Sequence, residues 1–236
     1  MKILKNTLAM AAAIMAAAAA SCSTDNGGGN GGGTLPDNMF YDFATYNGST
    51  ESSSSFEVQK NTDSGQATIT FSNTFKDNQL KTGSRVYMAY TTLSGKQYQS
   101  GPGTLYVLRD VTGGAPIEAT EELRVRASDA IKLAEMKRTG DYLNIIFQVP
   151  MSGNALNRLA LTQKPNEKEP AYPMLGLYVD TPNDMAPWQY VQASFDVSDV
   201  LAPADVEGFK VEYFDDKGID TLTFVKNNMG GITPAE

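Results

Sequence analysis

The sequence predicts an all-β protein, a small closed five-stranded barrel followed by a β-sandwich, and three observations predict it. Apolar and polar residues alternate in short runs. The runs are rich in threonine, tyrosine, valine and phenylalanine, and glycine, asparagine, aspartate and proline break them at close intervals. Alternation marks a strand with one buried face, these residue types suit a pleated surface, and the breakers mark turns.

A leader precedes this body. Lys2 and Lys5 open the chain, and a run from Leu8 to Ala20 follows, almost wholly alanine with Met10, Ile14 and Met15. A transmembrane helix needs about 20 apolar residues to cross roughly 30 Å of hydrocarbon, so this shorter run reads as the core of a signal peptide, residues 1–21, removed on maturation. Ala19-Ala20-Ser21-Cys22 resembles the lipobox of bacterial lipoproteins. That resemblance implies diacylglycerol on the Cys22 thiol, cleavage before Cys22 and acylation of the new amino group. Several acyl chains on one residue make a stable membrane anchor, at about 0.8 kcal/mol per buried methylene. Cys22 is the only cysteine, so no intrachain disulfide, cysteine nucleophile or cysteine-built metal site is expected, and the exported body relies on burial. Residues 22–36, with Gly27 to Gly29 and Gly31 to Gly33, read as a flexible tether on the order of 20 Å end to end.

Residues 37–113 supply the barrel. Runs at Phe40 to Tyr46, Phe56 to Val58, Thr68 to Phe71, Arg85 to Tyr90 and Thr104 to Leu108 make about five strands, the last after a Gly-Pro-Gly turn at 101 to 103. Closure removes exposed sheet edges. Residues 114–228 supply the sandwich. Tyr142 to Val149 is the strongest strand, with Leu143, Ile145, Phe147 and Val149 on one face; Leu156 to Thr162, Leu175 to Val179, Trp188 to Val197, Phe209 to Tyr213 and Thr221 to Val225 follow. Residues 229–236 form a tail too polar to serve as a donor strand. Ser128-Asp129 ahead of Ala130, Ile131, Leu133, Ala134 and Met136 fits an N-capped helix, but Ile131 and Leu133 also alternate as in a strand, and periodicity leaves both open.

Composition narrows the function classes. Nineteen Lys and Arg stand against 27 Asp and Glu, a net charge of −8, and loss of Lys2 and Lys5 with the leader takes the mature chain to −10. Nucleic acid is therefore not an expected partner, because its affinity comes largely from neutralised phosphates. Histidine is absent, which removes serine triads and histidine-built zinc sites. No metal or cofactor is expected.

The lipobox and polar tether, Val86-Tyr87-Met88-Ala89-Tyr90-Thr91 in the barrel, and Asp129-Ala130-Ile131-Lys132-Leu133 running into Gly140-Asp141-Tyr142-Leu143-Asn144-Ile145-Ile146-Phe147 together resemble the NigD-like lipoproteins of Bacteroidetes. The resemblance covers most of the mature chain and is most specific at Gly140 to Phe147. It implies an OB-type barrel, a C-terminal β-sandwich and a strand at Ile131 to Met136. The family's name comes from a bacteriocin-associated gene cluster.

Four motifs bear on chemistry. Asp215-Asp216-Lys217-Gly218 with Asp220 has the look of a calcium loop but lacks the closing bidentate glutamate, and it reads as a hairpin turn. Glu118, Glu121 and Glu122 offer paired carboxylates for glycoside hydrolysis, although acids in a polar stretch are commonly a solvated surface. Tyr172, Tyr178, Trp188 and Tyr190 lie in a proline-punctuated region. They present a sugar-gripping set of rings or, the simpler reading for Trp188 and Tyr190, core packing. Asp220-Thr221-Leu222 resembles a short O-glycosylation acceptor, and the plainer account is the start of a strand.

These readings lead to an expected function. The chain is expected to be a non-enzymatic lipoprotein of the outer membrane, facing the periplasm or the cell surface, that binds a protein or glycan partner. A carboxylate-dependent glycan hydrolase and a subunit of a surface assembly are the alternatives. Asp25 is the only acidic residue just after Cys22, a thin signal for surface export.

Overall fold

The computed structural model describes residues 36, 38–59, 66–72, 80–151, 156–182, 185–226 and, for the backbone, 233–234. The leader and Cys22 lie outside the described residues, as do all but Pro36 of the tether. The described residues fold as two compact units, one holding the first five strands and the other all later ones.

In the first unit β1 (Phe40–Ser49), β2 (Ser54–Gln59), β3 (Gln66–Phe71), β4 (Arg85–Thr92) and β5 (Gly101–Asp110) close in the order β1-β2-β3-β5-β4. β3 and β5 run parallel, which gives the OB-type barrel. Alternation places Phe56 and Val58 of β2, and Ala67, Ile69 and Phe71 of β3, fully inside. Ring contacts run in a chain: Tyr46 to Phe56 at 5.2 Å, Phe56 to Phe71 at 5.5 Å, Phe71 to Tyr90 at 6.1 Å and Tyr90 to Phe40 at 5.7 Å. Each fully buried side chain of this size contributes about 1.5–3 kcal/mol.

Asp42 also points inward, 4% exposed. Its carboxylate accepts hydrogen bonds from Tyr90 Oη (2.8 Å), Tyr98 Oη (2.9 Å) and Gln97 Nε2 (3.0 and 3.2 Å). These donors offset the cost of burying the charge. Gly101-Pro102-Gly103 is not the expected turn. It is the start of β5, paired with Ile69, Thr70 and Phe71. Gly103 is required there, since a Cβ would lie 2.5 Å from the Thr91 carbonyl oxygen.

The second unit contains β6 (Thr112–Gly114), β7 (Ile117–Glu118), two 3-10 turns (Glu121–Leu123 and Val125–Ala127), β8 (Lys132–Thr139), β9 (Tyr142–Pro150), β10 (Arg158–Lys164), β11 (Met174–Asp180), β12 (Trp188–Asp196), a helical turn (Ser198–Leu201), β13 (Gly208–Asp215), β14 (Gly218–Val225) and β15 (Thr233–Pro234). A four-stranded sheet, β6-β12-β9-β8, packs on a six-stranded one, β15-β14-β13-β11-β10-β7. Leu143, Ile145, Phe147 and Val149 of β9 share the core with Leu175, Leu177, Val179, Phe209, Val211 and Phe224 of the facing sheet. The segment around Ile131 to Met136, open to two readings, is strand from Lys132, with a bulge between Leu133 and Glu135. In the tail, Thr233 and Pro234 pair with the edge of β14.

Arg138, 5% exposed, ties the two sheets together. From β8 its guanidinium donates to the carbonyls of Val225 (3.1 Å) and Lys226 (2.8 Å) at the end of β14, and to that of Gly140 (2.8 Å). Arg138→Met leaves these carbonyls short of a donor and should lower the unfolding free energy by about 2–3 kcal/mol in urea titrations.

Two tyrosines make the fold sensitive to alkali. Burial, then the charge of Asp42, pushes the Tyr90 phenol far above its ordinary value of 10.0. Burial, then the hydrogen bond to Asp220 (2.8 Å), does the same to Tyr213. Below pH 10 folded and unfolded chains alike keep these protons; above it only the unfolded chain releases them. Stability should therefore fall by about 1.4 kcal/mol per pH unit for each group. Tyr213→Phe should make the decline shallower in denaturation curves measured from pH 8 to 11.

Candidate functional site

β11 and β13 run parallel but pair at only three positions, Met174 with Lys210, Leu175 with Val211 and Gly176 with Glu212. Beyond Gly176 the strands part, and residues 125–131 fill the gap. Ser128 Oγ accepts from Val179 N (3.0 Å), and Asp129 N donates to Val179 O (2.8 Å). The Asp129 carboxylate accepts from Thr181 N (2.6 Å) and Oγ1 (2.7 Å). Ile131 N donates to Phe214 O (2.9 Å) on the other strand, and its side chain enters the core. Ser128 and Asp129, which suit a helix cap, instead satisfy the free edge of β11.

On the outer face of the six-stranded sheet, the two 3-10 turns and the parting strands enclose a cleft of about 380 Å³. Gly176 and Thr162 form its floor with Val125. A Cβ at Gly176 would lie 2.7 Å from Val125 Cγ2 and 2.9 Å from Thr162 Oγ1, so this position must be glycine for the turn to seat. Leu123 and Ile219 add apolar wall, and Arg124, Arg126 and Lys164 bring three cations. Glu121 pairs with Arg124, and Glu212 with Lys164 at 2.8 Å. Arg126 forms no ion pair with the described residues. Next to this cleft lies a groove of about 530 Å³, lined by Pro116, Pro165, Pro170 and Pro173 with Ile117 and Glu118.

The three candidate glutamates do not assemble. Glu118 lines the groove, Glu121 lines the cleft and is engaged with Arg124, and Glu122 is exposed. Acid catalysis on a glycoside needs one carboxyl kept neutral by apolar surroundings, and both carboxyls in the cleft meet a cation instead. Asp215-Asp216-Lys217-Gly218 is the expected hairpin turn: Asp215 pairs with Gly218, and Lys217 N donates to Asp215 Oδ1 (2.8 Å). Thr221 lies within β14, opposite Glu212. Cys22 falls outside the described residues.

The four aromatic residues lie apart. Tyr178 is on the outer face of the six-stranded sheet, since its neighbours Leu177 and Val179 enter the core. Tyr172 borders a separate depression with Glu169 and Lys210. Trp188 and Tyr190 occupy the outer face of the other sheet, opposite Pro150 and Gln148. Core packing of these two is therefore corrected: Trp188 is 42% exposed, Tyr190 half-buried, and the Lys132 ammonium stands 3.9 Å from the Trp188 ring centroid. The β12 residues facing the core are Val191, Ala193 and Phe195, one step out of phase with Trp188. Trp188→Ala should cost less than about 1 kcal/mol in thermal or urea unfolding, against about 3–5 kcal/mol for a tryptophan in the core.

No family model matches the sequence, and no curated protein matches it. Solved structures match in fold. A protein described as toxin-related from Parabacteroides distasonis aligns with a TM-score of 0.59 at 15% identity, covering 80% of this chain and 94% of its own. A protein of unknown function from Bacteroides vulgatus aligns at 0.61 and 17%, over 83% of this chain and 96% of its own. A NigD-like immunity protein from Bacteroides caccae aligns at 0.57 and 18%, over 86% of this chain and all of its own. The resemblance read at Gly140 to Phe147 thus holds at the level of the fold, and the chain has the barrel-and-sandwich fold of the NigD-like immunity protein.

Proposed function

We propose that this protein is a NigD-like lipoprotein of the outer membrane that binds, without chemical turnover, a protein or glycan partner one of whose terminal groups enters the cleft beside Gly176. The observation that carries this reading is the pairing of both cleft carboxylates with cations. The arrangement offers charge and hydrogen bonds to a ligand, and each cleft carboxyl stands beside a cation, not in the apolar surroundings that a general acid for hydrolysis needs. The lipobox at Cys22 supports the anchor, and the fold shared with the NigD-like immunity protein supports the family assignment.

Two measurements test the proposal. Cys22→Ser should move the protein from the membrane fraction to the soluble fraction and abolish labelling by radioactive palmitate. Gly176→Val drives a side chain into Val125 and Thr162 and displaces the turn that forms the cleft wall, at a cost of about 1–3 kcal/mol. It should abolish retention of partners captured from glycan arrays or solubilised membranes while the circular dichroism spectrum stays native. Retention unchanged in Gly176→Val would remove the cleft from the reading.

A further inference from the structure

We propose that the group recognised in this cleft is a carboxylate, and that Glu121 occupies its seat on Arg124 until the ligand arrives. This deepens the function proposed above and rests on the cleft being the binding site. Three cations of a chain whose net charge is −8 line this cleft: Arg124 from the extended residue that joins the two 3-10 turns, Arg126 from the second turn and Lys164 from β10.

The two acids that accompany them are unlike. Glu212 is held on a central strand, with its side chain only 20% exposed, and bonds Lys164 at 2.8 Å. Glu121 projects from a short turn, its side chain 77% exposed, and its partner Arg124 is 57% exposed. Exposed pairs of this kind contribute only about 0–1 kcal/mol. A ligand carboxylate that accepts from the same guanidinium and also meets Arg126 therefore displaces Glu121 at little cost. The Glu121 carboxylate already meets the Arg124 guanidinium through one oxygen, and a ligand carboxylate can use the same donor. Glu212 stays bonded to Lys164, which leaves Arg124 and Arg126 as the cations offered to the ligand. Leu123, Val125 and Ile219 flank the seat, and the volume of about 380 Å³ admits one sugar ring or one apolar side chain beside the charge. The same chemistry comes from a uronic acid at a glycan end or from the C-terminus of a peptide.

Calorimetric titration of the full mature chain carrying Cys22→Ser separates these sources with two acids, D-glucuronate and N-acetyl-L-leucine, set against glucose and N-acetyl-L-leucinamide, with inorganic phosphate as a further ligand. One acid should bind at least about tenfold more tightly than its neutral counterpart, as expected where a charge-assisted hydrogen bond is lost. Arg126→Gln should weaken it by about tenfold or more. Glu121→Gln should tighten it by about two- to fivefold, since the internal competitor is gone; a structural role for Glu121 predicts no gain. Equal binding of acid and neutral compounds, tighter binding of phosphate, no binding of either acid, or a loss with Glu121→Gln would overturn the inference. A partner whose capture Gly176→Val abolishes, without discrimination between acid and neutral compounds, leaves the cleft as the binding site and overturns only the carboxylate. A partner retained by Gly176→Val overturns both.

Discussion

Two parallel strands that part inside a sheet leave backbone donors and acceptors facing a gap, and buried groups of that kind must find partners. β11 and β13 create this problem beyond Gly176, and the strap of residues 125–131 resolves it with Ser128, Asp129 and the Ile131 amide. The strap has two sides with different tasks. Its inner end plugs the core with Ile131, and its outer end seats Val125 over Gly176 and forms the cleft wall. The geometry of the cleft and the stability of the sandwich are therefore coupled, because the residues that close the gap also position the arginines.

Much of the strand pattern is legible in the sequence because burial on one face imposes a period of two. Leu143, Ile145, Phe147 and Val149 show it and are all fully buried. Where the sequence misleads, a residue type has been used for an uncommon purpose. Gly101-Pro102-Gly103 has turn composition yet begins β5 beside β3, and the glycine at 103 is needed because the Thr91 carbonyl of β4 approaches it closely. Trp188 looks like core by size, but it is out of phase with Val191, Ala193 and Phe195. The cleft was harder to see. Arg124, Arg126, Lys164, Gly176 and Glu212 come from four separated segments, and only sheet pairing unites them. One local signal was present: in Leu123-Arg124-Val125-Arg126 apolar and basic residues alternate, so that a surface covered by Leu123 and Val125 leaves two cations together outside.

The barrel reaches stability without a disulfide by another route. Its aromatic chain fills the interior, and Asp42 recruits the loop between β4 and β5 from within. Tyr98 in that loop holds a positive φ of 58°, a conformation that costs a residue with a side chain about 1 kcal/mol or more. The hydrogen bond to the buried carboxylate offsets that cost, and Gln97 adds a second link from the same loop. One inward aspartate thus adds two side-chain links to a connection that Thr92 Oγ1 also ties through the Lys96 carbonyl and that Thr68 N ties through Ser100 Oγ.

Net charge and local charge act over different ranges in this protein. The acidic body repels anions at distance, but screening at physiological salt confines that repulsion to about 8 Å. The three cations of the cleft act inside this distance, where an exposed pair such as Glu121 with Arg124 is already weak. An anionic ligand would accordingly arrive without electrostatic steering, and selectivity would arise from contacts made after arrival. Under the proposed recognition of a carboxylate, a polyanion would meet repulsion along its whole length for one seat, whereas a chain with a single terminal charge would meet little and gain the same seat. The acidic surface therefore narrows what a basic cleft admits.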